Sequence, residues 1–107
     1  MQPESKSKFL QMVHNGGEIG KAYYDFYNVS ATKGALDEKT YQLVYLAYLA
    51  ADGITDGIRR HTAEAKEAGA TDEEIKSVIL AGLPVSGAKL QYSYAAVTET
   101  LSSLESE

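Results

Sequence analysis

Apolar residues recur along this chain at steps of three and four, the period that lines one side of an α-helix. No stretch alternates apolar and polar residues as a half-buried strand does, and no segment repeats. Phe9, Met12 and Val13 mark a first helix, with Pro3 suited to its first turn. His14-Asn15-Gly16-Gly17 stops it and leaves His14 as a solvated residue at the negative end of the helix dipole. Ile19, Ala22, Tyr23 and Phe26 form the stripe of a second helix over residues 18–29. Tyr24 and Tyr27 lie off that stripe, on a face that suits a subunit contact. The polar, glycine-containing stretch 30–34 reads as a loop.

Asp37 is the expected N-cap of a third helix, with Leu36 before it as a staple residue. Residues 41–51 are then apolar on almost every side, interrupted by Gln42. A helix apolar all round is buried all round, and 107 residues scarcely wrap one helix, so part of its cover is expected from another subunit. Asp52-Gly53 marks a break. The fourth helix, residues 54–68, carries the stripe Ile54, Gly57, Ile58, His61, Ala65 and Ala68, with His61 its only polar member. Arg59, Arg60, Glu64, Lys66 and Glu67 form its solvated face. Gly69 suits the left-handed residue that ends a helix. Thr71-Asp72-Glu73-Glu74 has the form of a capping box for a fifth helix, whose stripe is Ile75, Val78, Ile79 and Gly82. Leu83-Pro84 ends or kinks it. Leu90, Tyr94, Val97, Leu101 and Leu104 line the last helix, a stripe long enough to pack on a neighbour. The polar tail 102–107 is expected to fray. The expected fold is all-α, five to six helices in one domain over residues 1–107.

Composition narrows the function classes. Ten basic and fifteen acidic residues leave a net charge of −5 with no basic stripe, which argues against a nucleic-acid partner. No apolar run suits a membrane span, and the N-terminus lacks the apolar core of a signal peptide, so a cytoplasmic location is expected. There is no cysteine, which removes disulfides, thiolate nucleophiles and cysteine metal sites. One histidine is too small a ligand set for a metal, and no cofactor is expected.

Several segments have a recognisable order. Gly34-Ala35-Leu36-Asp37-Glu38-Lys39-Thr40 leads into the long apolar helix. His61-Thr62, Ala65 and Glu67-Ala68-Gly69-Ala70-Thr71-Asp72-Glu73-Glu74-Ile75 follow, then Gly87. In order and spacing these residues resemble the carboxymuconolactone decarboxylase family, which includes the alkyl hydroperoxidase D-like proteins. The resemblance implies an all-helical alkyl hydroperoxidase D-like fold and a homo-oligomer, a trimer or a hexamer. Redox members of that family carry a Cys-x-x-Cys motif before the histidine, and the two positions hold Ile54 and Gly57 here. Single-cysteine members keep the one that corresponds to Gly57. The proton-relay glutamate of the redox members falls at Gln42, and the histidine that some members place between the cysteines falls at Asp56. Of that relay only His61 remains. Neither Ile54 nor Gly57 can be oxidised, and Gln42 takes no proton at neutral pH, so disulfide-based peroxidase activity is not expected.

Two readings of His61 stay open. In one it is a core histidine that donates a ring N–H to a backbone carbonyl or to Gln42. The chain is then a non-catalytic family member that binds a small apolar ligand or serves as an oligomeric scaffold. In the other His61 is the general acid–base of a cofactor-free, decarboxylase- or isomerase-type reaction on a small carbonyl compound or carboxylic acid. Gln42, Tyr41, Tyr45 and Thr55 are the candidate hydrogen-bonding residues for such a substrate, and Arg59 or Arg60 the candidate to hold its carboxylate. Glu64 and Asp56 are nearby carboxylates in sequence, with Glu64 toward the polar face of its helix and neither evidently placed to orient the ring.

Overall fold

The computed structural model describes residues 7–106. Pro3, expected in a first helical turn, and Glu107, at the end of the expected frayed tail, lie outside the described residues. Every regular element among the described residues is helical. The helices are α1 (Lys8–Asn15), α2 (Gly17–Lys33), α3 (Glu38–Asp52), α4 (Thr55–Glu67), α5 (Asp72–Leu80), a short α6 (Leu83–Ser86) and α7 (Leu90–Glu105), with a 3₁₀ turn at Gly87–Lys89. The six longer ones correspond to the six helices that the periodicity predicts. None is long and apolar enough to cross a membrane. The chain forms two compact units, one ending at Ala35 and the other beginning at Leu36.

The first unit is a pair of helices. The Ser7 hydroxyl accepts the Leu10 amide at 3.1 Å and starts α1. The Phe9 ring of α1 lies 5.3 Å from that of Tyr27 and 5.9 Å from that of Tyr23. Two expectations fail here. The stretch 30–33 is helical rather than a loop, because no breaker comes before Gly34, and the Thr32 hydroxyl donates to the Asn28 carbonyl at 2.7 Å. The stripe Ile19, Ala22, Tyr23 and Phe26 is exposed, with Ile19 84% accessible. A helix of eight residues cannot cover one of seventeen, and Phe9 packs also against the other face, at Tyr24 and Tyr27.

The second unit holds the core. Asp37 accepts the Thr40 amide at 2.7 Å and starts α3. Gly53, at φ 71°, closes it in the left-handed region that a side chain would disfavour. The Gly53 amide donates to Ala50 and the Ile54 amide to Leu49, so α4 begins only two residues after α3 ends. Leu46, Leu49 and Ala50 of α3 pack with Ile58 and Ala65 of α4, Ile75 and Ile79 of α5, and Leu90, Val97 and Leu101 of α7. The Ser93 hydroxyl of α7 donates to the Ala50 carbonyl at 2.9 Å, which satisfies a polar group within that core. At the start of α5 the Thr71 hydroxyl accepts the Glu74 amide at 3.0 Å, and Glu74 Oε1 accepts the Thr71 amide at 2.9 Å, the predicted capping box. Pro84 falls in the first turn of α6, where its missing N–H costs nothing.

Three features of the packing bear on the sequence pattern. Within its own unit the outer side of α3 stays uncovered, as expected for a helix apolar on almost every side in so short a chain: Val44 is exposed and Tyr48 is 73% accessible. Ile54 leaves the α4 stripe because it precedes the helix, and Thr62 is buried instead. The α7 stripe packs on α4 and α5 of its own unit, and the helix runs through Ser102, Ser103 and Leu104 to Glu105. Replacing the fully buried Ile58 by alanine is expected to destabilise the fold by about 2–5 kcal/mol. Thr71→Ala, which removes only a cap, is expected to cost about 1 kcal/mol. Urea unfolding of both variants checks that order, and equal losses would contradict the assignment of Ile58 to the core.

Candidate functional site

Gln42 and Tyr45 are three residues apart on α3, so both project from one side of it. That side meets His61, in the middle of α4. His61 is 4% accessible and Gln42 is buried beside it. The His61 Nδ1–Gln42 Oε1 distance is 2.7 Å. Tyr45 stacks on the imidazole with centroids 3.9 Å apart and planes 16° from parallel, which closes one face of the ring to water. Tyr41, one turn before Tyr45, meets its ring edge-on at 5.7 Å.

Two carboxylates complete the cluster. Glu64 Oε2 lies 3.1 Å from His61 Nδ1, and the Gln42 amide nitrogen donates to Glu38 Oε1 at 3.2 Å. Both groups near Nδ1 are oxygen acceptors, an arrangement that favours the proton of the neutral ring on Nδ1. Glu64 was expected on the polar face. At i+3 its side chain reaches back to the ring while remaining 32% accessible, and it also pairs with Arg60 Nε at 3.5 Å. Burial is the largest influence on His61 and holds its pKa below the ordinary 6.5. Glu64 opposes this, Arg60 reinforces it, and Glu38 opposes it more weakly. The ring is therefore neutral at pH 7, and its contact with Glu64 is a hydrogen bond rather than an ion pair.

The remaining candidates do not join the cluster. Arg59 is two residues from His61, on the opposite side of α4, where its Nη1 pairs with Glu99 Oε1 at 3.2 Å. Thr55 is exposed at the first position of α4, about 9 Å along the axis from His61. Glu38 is the member that sequence reasoning missed, and Glu64 was named there but assigned to the polar face. The spacing Glu38–Gln42 at i,i+4 is the signal that could have found Glu38. Thr62 is fully buried with its hydroxyl lacking a partner among the described residues, and so is the Tyr41 hydroxyl. No cluster of three or more His, Asp or Glu able to hold a metal ion occurs among the described residues.

Residues 17–99 match the model of the carboxymuconolactone decarboxylase family. The chain belongs to the carboxymuconolactone decarboxylase family. No match was found among curated proteins or among solved structures. The family match extends over α2 and most of α7, beyond the span 34–96 on which the resemblance rests.

The positions where redox members of the carboxymuconolactone decarboxylase family carry cysteines are now placed. Ile54 is the N-cap residue of α4 and is 48% accessible. At Gly57 a β-carbon would lie 2.9 Å from Leu49 Cδ2 and 3.2 Å from Cδ1. The Leu49 side chain occupies the room that a side chain at position 57 would need.

The lowered pKa of His61 gives stability a defined pH dependence. Between the folded value and the unfolded value near 6.5, the unfolded chain binds more protons at this site, so stability rises with pH. The contribution is present above pH 6.5 and is lost as pH falls through the folded value. Urea midpoints measured from pH 7 to 5 should fall on acidification in the natural chain, and less steeply in His61→Gln. Parallel slopes would show that His61 does not titrate against its buried surroundings.

Proposed function

We propose that this member of the carboxymuconolactone decarboxylase family is a cofactor-free acid–base enzyme of the decarboxylase or isomerase type. Its substrate would be a small carbonyl compound or carboxylic acid, and His61 its base. The observation that carries this reading is the engagement of Nδ1 by Gln42 Oε1 and Glu64 Oε2. With the proton on Nδ1, Nε2 holds the lone pair that a general base needs. Nε2 takes a proton from the carbon next to the substrate carbonyl, and the C–H electrons move into the carbonyl to form an enolate. The imidazolium returns the proton to another carbon in an isomerisation. In a decarboxylation of the free acid Nε2 takes the carboxyl proton, CO₂ leaves, its bond electrons form the enolate, and the imidazolium returns the proton to carbon. The buried Tyr41 hydroxyl is the candidate donor to the enolate oxygen, and Arg60 the candidate to hold a substrate carboxylate. A disulfide peroxidase is not proposed, because the chain has no cysteine to supply a thiolate.

The second reading is a non-catalytic family member, supported by the low accessibility of His61 and by the Tyr45 ring stacked on it. His61→Gln and His61→Ala separate the two. The enzyme reading expects turnover of a keto acid or lactone to fall by about 10²–10⁴ in both variants, as for the loss of a general base. Turnover unchanged in both variants would end that reading. Absence of turnover in the natural chain across such substrates, with only stability altered in the variants, would favour the second.

A homo-oligomer, a trimer or a hexamer, also belongs to this proposal. It is supported by the apolar residues that α3 leaves uncovered, Val44 and Tyr48. Light scattering should give a mass of three or six chains, and a stable monomer at micromolar concentration would contradict it.

A further inference from the structure

We propose that Glu38 is a positioning residue for His61: it sets the direction of the Gln42 amide and thereby decides which imidazole nitrogen carries the proton. The consequence for catalysis rests on the acid–base reading above, whereas the effect on the ring stands on geometry alone.

A glutamine side chain can face a histidine in two ways of nearly equal shape. Facing it with the carbonyl, it accepts from Nδ1–H and leaves the lone pair on Nε2. Facing it with the NH₂, it donates to Nδ1 and sends the proton to Nε2. The amide has no preference of its own, so the choice belongs to whatever holds its other end. Here that is Glu38, one helical turn earlier on α3, whose Oε1 is 3.2 Å from the Gln42 nitrogen. An ionised carboxylate only accepts hydrogen bonds. It takes the NH₂ and leaves the carbonyl for His61, 2.7 Å from Nδ1. The first turn of a helix favours a negative side chain, which suits Glu38 to this place.

Glu64 also accepts from Nδ1, so two carboxylates on two helices favour the same tautomer. They do so unequally. Glu64 makes the longer contact, is part-exposed and shares its charge with Arg60, so water and the guanidinium both compete for it. The Gln42 bond is short and buried. Reversing Gln42 would set an N–H donor against Nδ1 and remove the lone pair from Nε2.

Uniformly ¹⁵N-labelled protein tests this through the long-range ¹H–¹⁵N correlations of the histidine rings, which report tautomers directly. His14, exposed in the other unit, is the internal reference. The natural chain at pH 7 should show His61 protonated at Nδ1. In Glu38→Lys position 38 can only donate, which turns the Gln42 carbonyl toward it. The Nδ1–H to Nε2–H ratio of His61 should then fall on the order of tenfold or more, the size that loss of a charge-assisted hydrogen bond produces. Adding Gln42→Glu should restore the natural ratio, since a carboxylate at position 42 accepts from Nδ1 whatever occupies position 38. A merely structural role for Glu38 would not be rescued in this way. If Glu38→Lys does not fold, Glu38→Ala serves, with a shift in the same direction. A natural chain protonated at Nε2, or a ratio unchanged in the folded variant, would overturn the proposal. A shifted ratio without loss of turnover would leave Glu38 as the positioning residue and overturn the acid–base reading of His61 instead.

Discussion

The hydrogen bond between His61 Nδ1 and Gln42 Oε1 joins α3 to α4 inside a contact that is otherwise apolar. Without His61 the Gln42 carbonyl would lose its partner in the interior, at a cost of about 1–3 kcal/mol, whereas His61 Nδ1 would keep Glu64. Together they satisfy each other, and the pairing fixes how α4 lies on α3. Tyr45 can stack on the imidazole because it shares a side of α3 with Gln42. Glu38 and Glu64 join at the margins of the same cluster. The tight turn through Gly53 makes the arrangement local, since it returns the chain to α4 after two residues.

Membership of the carboxymuconolactone decarboxylase family gives this cluster a context. Where redox relatives need a thiol at the second cysteine position, the chain has Gly57, and Leu49 fills the adjoining space. The other position, Ile54, stands half exposed ahead of α4. The groups around His61 are oxygen acceptors and a stacked tyrosine ring.

Much of this was legible in the chain itself. Asp37, Thr71 and Glu74 each cap a helix through partners within three residues, and the break at Gly53 uses backbone no more than five residues away. Such interactions are decided by neighbours in sequence, so type and spacing reveal them. The pairing of His61 with Gln42 could be anticipated because they are isolated polar residues on two facing apolar stripes. Glu38 and Glu64 were harder to see, because both look like members of solvated faces. Their reach depends on side-chain length and on what stands opposite, which helical period does not encode. The same limit hid the outward turn of Ile19 and the burial of Thr62.

The sequence by itself determined an all-helical chain, its caps and breaks, the absence of cysteine chemistry and the isolated polar residues Gln42 and His61 on two apolar helices. Those features follow from local sterics, hydrogen bonding between near neighbours and the chemistry of residue types. Only the tertiary structure decided which face of each helix is covered, that Leu49 takes the space beside Gly57, and that Gln42 and Glu64 both bring an oxygen to His61 Nδ1. Periodicity says that a face is apolar but not what meets it, and a ring tautomer is set by the acceptors that packing brings to each nitrogen.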